Sequence, residues 1–171
     1  MPRRWLRGLG VLAALALAAC SGARGTGADN STPPTAVEAS RFLAQTTYGP
    51  IEADISRVRS LGYSQWIDQQ MTTPAPTSHL AEMDARLAQL RVNDPSPSLN
   101  PPDFYASYWR QAVTGPDQLR QRMKLALSEI FVISMTDANV GVHGAASYYD
   151  MLGANAFGNF RTLLEQVTLH P

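Results

Sequence analysis

The sequence predicts an all-α protein, an irregular multi-helix bundle that follows a signal peptide and a flexible tether. Apolar residues recur three and four positions apart, for example at Leu80, Met83, Leu87 and Leu90, and this spacing marks the buried face of a helix. Glycine and proline separate these segments, and no stretch alternates apolar and polar residues as a half-buried strand would.

The amino terminus has the pattern of an export signal. A basic segment is followed by an uncharged run over 9–19, which is shorter than the ~20 residues of a spanning helix. Its end, Leu17-Ala18-Ala19-Cys20, resembles the bacterial lipobox. We therefore expect 1–19 to be a lipoprotein signal peptide and Cys20 to be acylated, so that the membrane is a partner. Ser21, where an aspartate would resemble the inner-membrane retention signal, favours an outer-membrane lipoprotein facing the periplasm or the cell surface.

The charge balance argues against a nucleic-acid partner. The chain has 14 basic and 14 acidic residues, and loss of 1–19 removes three arginines and no acid, leaving 11 against 14. Lys124 is the only lysine, a skew typical of a GC-rich genome. With Cys20 acylated, no thiol remains for a metal or a disulfide, and the sequence suggests no cofactor.

The remaining chain divides into a tether and a helical domain. Residues 20–36 are rich in glycine, serine, threonine and proline, which is typical of a flexible linker, and 37–171 read as a helical domain. Gly62 is expected to end one helix, and Gly158 and Asn159 to separate the last two. We predict helices over 36–46, 50–61, 65–71, 78–91, 102–114, 117–135, 145–157 and 160–169.

Few residues suggest chemistry. His79, His143 and His170 do not pair at helical spacing, so we predict no metal site. The sequence contains no motif of a nucleophile elbow, a phosphate-binding loop or a dinucleotide-binding turn.

Glu129 is the first weak candidate for a catalytic residue. It lies in the apolar segment "LALSEIFVIS", which predicts a buried half-helix with Ile130 and Phe131 deep in the core. A buried carboxylate is either a general acid or base or, more often, half of an ion pair. Arg122 and Arg161 are the candidate partners for such a structural pair.

Asp150 is the second weak catalytic candidate. It follows Tyr148 and Tyr149, and clusters of aromatic and acidic residues line some carbohydrate and peptide grooves. Two tyrosines on one helix are more often half-buried packing residues with hydrated hydroxyl groups.

Three segments, in order, resemble a bacterial family catalogued as domain of unknown function 1800. They are "SRFLAQTTYGPIEADISRVRSLGYSQWIDQQM", "LRQRMKLALSEIF" and "NAFGNFRTLLEQVTLHP". Many family members carry a "WHNHF"-like run in the long helix, where this chain has "ALSEIF", so no histidine role is carried over. Members also continue beyond the "VT–P" segment, which implies that 37–171 is the amino-terminal part of a longer domain.

These observations lead to two functional expectations. The first is a lipid-anchored envelope protein acting as a binding or scaffolding module, with an envelope protein or a glycan as partner. The second is an envelope hydrolase whose active site is completed by residues beyond Pro171. Whether the protein is an enzyme stays open at this point.

Overall fold

The first helices follow from local capping and one glycine break. The computed structural model describes residues 32–75, 77–136 and 140–171. Thr35 starts α1 (Ala36–Thr46) with a capping box in which Glu38 returns a hydrogen bond. Helix α2 (Glu52–Thr72) contains the predicted break at Gly62, whose φ of 77° favours glycine. The signal peptide, Cys20 and most of the tether lie outside the described residues.

The remaining helices form a bundle around two central members. They are α3 (His79–Leu90), α4 (Pro101–Thr114), α5 (Gln118–Ile130), α6 (Val142–Ala154) and α7 (Phe160–Leu169). Helix α5 contacts α1, α2, α4 and α6, while α6 contacts α3, α4, α5 and α7. The described residues form seven α-helices and no strand, which confirms the all-α prediction. None of these helices is long and apolar enough to cross a membrane.

The core consists of three adjoining clusters. Phe104, Tyr108 and Met83 anchor the cluster between α3, α4 and α6. Leu43, Val58 and Trp66 join α1 to α2, and Tyr148, Leu152 and Leu163 join α6 to α7. Phe104 is 1% exposed and Leu152 is fully buried, so these side chains supply most of the hydrophobic stabilisation.

The prediction for the long helix is wrong at its carboxyl end. Helix α5 stops at Ile130, and Phe131, with ψ of 73°, is its cap. Ile130 is 69% exposed and Phe131 is only partly buried, so neither lies deep in the core. The reason is that α5 buries the face carrying Gln121 and Lys124, while Ile130 lies on the opposite face.

The end of α6 also differs from the prediction. Helix α6 begins at Val142 and ends at Ala154, about three residues earlier at each end than the predicted 145–157. Gly158 does not adopt the left-handed conformation expected of a helix stop, because positive φ occurs only at Gly49 and Gly62 in the described chain. Asn159 caps α7 as predicted, since its side chain accepts a hydrogen bond from the Arg161 amide at 2.9 Å.

Candidate functional site

Lys124, the only lysine of the chain, lies in the interior. It is on the buried face of α5 and is 3% exposed. Its Nζ lies 2.7 Å from Nε2 of His79, which is fully buried at the start of α3. An ammonium group has only donors, so Nε2 of His79 is the acceptor of this hydrogen bond.

The hydrogen bonds continue from His79 to α4. Because Nε2 accepts, the ring proton of the neutral imidazole is on Nδ1, which donates to Oγ of Ser107 at 2.7 Å. The Ser107 hydroxyl is also near the Glu82 carboxylate and helps to lower its pKa. The imidazole packs on Phe104 and Tyr108, with ring centroids 5.5 and 6.3 Å away. The result is a buried polar chain, Lys124–His79–Ser107–Glu82, enclosed by aromatic rings.

Burial sets the charge of the two basic groups in this chain. Burial and, as the second cause, the positive charge of Lys124 lower the pKa of His79 to about 3, so the imidazole is neutral at physiological pH. Burial also lowers the pKa of Lys124, to about 8, although the carboxylates of Asp117, Asp150 and Glu82 oppose that shift. Lys124 is therefore mostly charged near neutral pH but loses its proton far more easily than a surface lysine.

Glu82 is stabilised as a carboxylate at the other end of the chain. Burial alone would raise the pKa of Glu82, but hydrogen bonds from Ser107, Gln111 and Arg110 outweigh burial and hold the pKa below its usual value. Arg110 also forms an ion pair with Glu82. Glu82 and Arg110 also line an open cleft of about 450 Å³ between α3 and α4.

Lys124 lines an open cleft of about 500 Å³, here called the lysine cleft. Its polar lining comes from α4, α5, α6 and the segment before α3. Those residues are Thr77, Ser78, Gln111, Arg120, Gln121, Lys124, Tyr149 and Asp150.

Two polar atoms at the lysine cleft lack hydrogen-bond partners among the described residues. Nε2 of Gln121 donates to both oxygens of Asp117, at 3.2 and 3.1 Å, and this contact fixes the orientation of the amide. Oε1 of Gln121 is buried and has no hydrogen bond, and the same holds for Nε of Arg120. A buried acceptor without a partner costs about 1–3 kcal/mol, so this site favours a donor from a ligand or a water molecule.

Asp150 lines the lysine cleft but has a structural function. Its two oxygens accept hydrogen bonds from the backbone amides of His79, at 2.8 Å, and Leu80, at 2.9 Å. The carboxylate thus satisfies free amides of the first turn of α3 from a neighbouring helix. Burial raises the pKa of Asp150, and the two amides and Lys124 oppose that effect. The sequence singled out Asp150 as a weak catalytic candidate, and the structure places it in the lining of the same cleft as Lys124.

The structure does not bring Glu129 to this site. Glu129 is exposed on α5, so the prediction that it is buried is wrong. In the described part of the chain it forms no ion pair with Arg122 or Arg161. Arg122 lies over the ring of Tyr48 at 5.9 Å, and Arg161 is exposed on α7. An apolar run around a carboxylate was a poor guide, because only part of that run faces the core: Leu125 and Leu127 pack against core clusters, whereas Glu129 is exposed.

The three histidines are separated. His143 hydrogen-bonds to Asp84 at 3.1 Å, and His170 lies 3.3 Å from the hydroxyl of Ser147. In the described ranges, no three His, Cys, Asp or Glu side chains are arranged to hold a metal ion.

His79, Ser107 and Lys124 were missed as a group by sequence reasoning. His79 and Lys124 are 45 positions apart, and no spacing rule connects them. The available signal was the single lysine among 13 arginines, on the same helical face as Gln121.

Comparisons with known proteins agree with the resemblance noted in the sequence. Residues 41–171 match the model of a family described as "Protein of unknown function (DUF1800)". Searches of curated proteins and of solved structures found no significant match.

Proposed function

We propose that this chain, which belongs to the DUF1800 family, is a lipid-anchored binding module of the bacterial cell envelope. Its ligand occupies the lysine cleft. The anchor is supported by the lipobox-like Leu17-Ala18-Ala19-Cys20, and the outer membrane by Ser21. Two acyl chains suffice for stable attachment without a spanning helix.

The anchor is tested by metabolic labelling with palmitate. Cys20→Ala should abolish labelling and leave unprocessed precursor, because it removes the only thiol of the chain. The matched variant Ser21→Asp should keep the label and shift the protein toward the inner membrane. Labelling that persists in Cys20→Ala would show that the protein is not a lipoprotein.

The ligand is best matched by a glycan that carries a carboxylate. The observation that carries this proposal is that the lining of one cleft includes both Gln121, whose Oε1 has no partner among the described residues, and the buried Lys124. Together they provide an acceptor for a hydroxyl or amide N–H and a donor for a carboxylate. Tyr149, which is half-buried at the cleft, adds an aromatic surface of the kind that packs on sugar rings.

The charge of the cleft agrees with an anionic ligand. Arg120 and Lys124 are the cations of the lining and Asp150 is its carboxylate, while Asp117 pairs with Arg120 at 3.7 Å. Because both oxygens of Asp150 are already bound to α3 amides, its charge is partly compensated. Envelope glycans supply carboxylate, hydroxyl and acetamido groups together, which fits this arrangement of donors and acceptors.

The binding role is tested with a matched pair of sugars and the purified mature protein. We expect N-acetylmuramic acid to bind at least ~10-fold more tightly than N-acetylglucosamine, since one charge-assisted hydrogen bond contributes about 1.5–3 kcal/mol. Lys124→Met should remove that preference. The control Arg161→Met removes an exposed cation on α7 and should keep it. Equal affinity of the wild type for the two sugars, or no binding of either, would contradict the proposal.

The second candidate is an envelope hydrolase, favoured by one observation. Lys124 has a lowered pKa of about 8 and lines a cleft, as a general base would. The oxygens of Asp150 are engaged by backbone amides, and Glu129 lies on the surface, so neither is better placed. Release of reducing ends from purified peptidoglycan by the wild type, and its loss in Lys124→Met, would favour this alternative.

A further inference from the structure

Among the basic side chains of this protein, only that of the buried Lys124 is an amine, and all the others are guanidinium groups. Of its 14 basic residues, 13 are arginines, and the one lysine is 3% exposed beneath a cleft. Arginine remains charged in proteins, whereas a buried lysine readily loses its proton and becomes a nucleophile. The burial of Lys124 at a cleft, and not the scarcity of lysine in the chain, is what points to amine chemistry.

The groups around Nζ do not form an ion pair with it. The titratable or charged neighbours are His79 and Glu82 from α3, Tyr108 from α4, Asp117 and Arg120 from the α5 region, and Asp150 from α6. No carboxylate of the described residues is close enough to Lys124 for a salt bridge. The nearest polar atom is the neutral Nε2 of His79, at 2.7 Å. An ammonium held this way lacks the partner that normally keeps a buried lysine protonated.

We propose that Nζ of Lys124 forms an imine with a small aldehyde or keto acid that enters the lysine cleft. This inference goes beyond the glycan-binding role and does not depend on it. The neutral amine attacks the carbonyl carbon, and one proton passes from the nitrogen to the carbonyl oxygen to give a neutral carbinolamine. Loss of that hydroxyl with a proton from nitrogen releases one water molecule and leaves the C=N bond. No oxidant or reductant is required.

The hydrogen bond to His79 suits every stage of this reaction. The ammonium, the neutral amine and the protonated imine each have an N–H that can donate to Nε2. A protonated imine has a single N–H, which matches the single acceptor of the imidazole. The ring is held by its own bond to Ser107 and by packing on Phe104 and Tyr108. His79 is thus a positioning residue that orients Nζ. The lowered pKa of Lys124, about 8, supplies the unprotonated amine near neutral pH.

The test is reductive trapping of the imine on the mature protein. Glyoxylate and cyanoborohydride should add one carboxymethyl group to Lys124. Since Lys124 is the only lysine, any other labelled amine is at the chain terminus, and peptide mapping separates the two. Trypsin does not cleave after a modified lysine, so the modified chain should yield a peptide covering 123–161. The matched variant Lys124→Arg retains the positive charge and should not be labelled at this position.

A comparison of folded and unfolded protein distinguishes a nucleophile from a merely buried lysine. A drop in pKa from 10.5 to about 8 increases the unprotonated fraction at pH 7 by more than 100-fold. We therefore expect Lys124 to react faster in the native protein than in the same chain unfolded in guanidinium chloride at pH 7. Slower reaction in the native protein, or no label at Lys124 while the terminal amine reacts, would overturn the inference.

Discussion

Acid should destabilise this protein through His79, at pH values where most carboxylates are still ionised. In the folded chain, burial keeps the pKa of His79 at about 3, against an ordinary value of 6.5. The unfolded chain therefore takes up a proton on this residue as the pH falls below 6.5, and the folded chain does not. The stabilising effect of the neutral imidazole is complete above pH 6.5 and is lost progressively toward pH 3.

The size of the effect follows from the same two values. Each pH unit between them changes the free energy of unfolding by up to about 1.36 kcal/mol for one proton. Between pH 6.5 and 4.5 the loss is about 2 kcal/mol, because the unfolded histidine is already half protonated at the upper limit. Asp150 acts in the opposite direction, since its raised pKa lets the folded chain bind a proton more readily.

The assay is urea unfolding, followed by far-UV circular dichroism at half-unit pH steps. His79→Gln keeps an acceptor for Lys124 but cannot titrate, so its slope between pH 6.5 and 4.5 should be smaller than that of the wild type. The control His143→Gln removes a partly exposed histidine and should retain the wild-type slope. Equal slopes for wild type and His79→Gln, or movement of the His79 ring NMR signals above pH 4.5, would show that the fold does not keep His79 neutral in this range.

Three further measurements test the packing. Phe104→Ala should lower the free energy of unfolding by ~3–5 kcal/mol, clearly more than Phe131→Ala, because Phe104 is 1% exposed; equal losses would be inconsistent with the core described above. Asp150→Ala leaves two amides of α3 without an acceptor and should lose ~1–2 kcal/mol, part of which Asp150→Asn should recover; an unchanged midpoint of urea unfolding would argue against the cap. Phe160 and Leu164 are 65% and 46% exposed on α7, so replacing both by glutamine should reduce binding of a hydrophobic dye without loss of stability; an unchanged dye signal would locate the exposed apolar surface elsewhere.

Apolar side chains are exposed on and near α7. Leu169 is 73% exposed, and Val132, just after α5, is 71% exposed. This could be anticipated because the apolar stripe of α7 is wider than one neighbour can cover. In the described chain, α7 contacts only α6.

Helix positions were predictable because their signals are local. Thr35 and Ser78 accept hydrogen bonds from amides three residues later, so a cap depends on a few neighbouring positions. The break at Gly62 needs only a residue that tolerates positive φ. The all-α class was predictable for the same reason, because it follows from the short-range helix preferences of many segments.

Contacts between distant helices determine which face of α5 is buried and which residues form the site. When a helix has apolar residues on several sides, any of these sides can pack against the core. The residues of distant helices determine which side does so. Lys124 and Gln121 are buried because His79 and Asp117 provide hydrogen bonds for them, whereas Glu129 is exposed. A buried polar group is stable only when a partner reaches it. For Lys124 that partner is 45 residues away in the chain, beyond the reach of any local pattern.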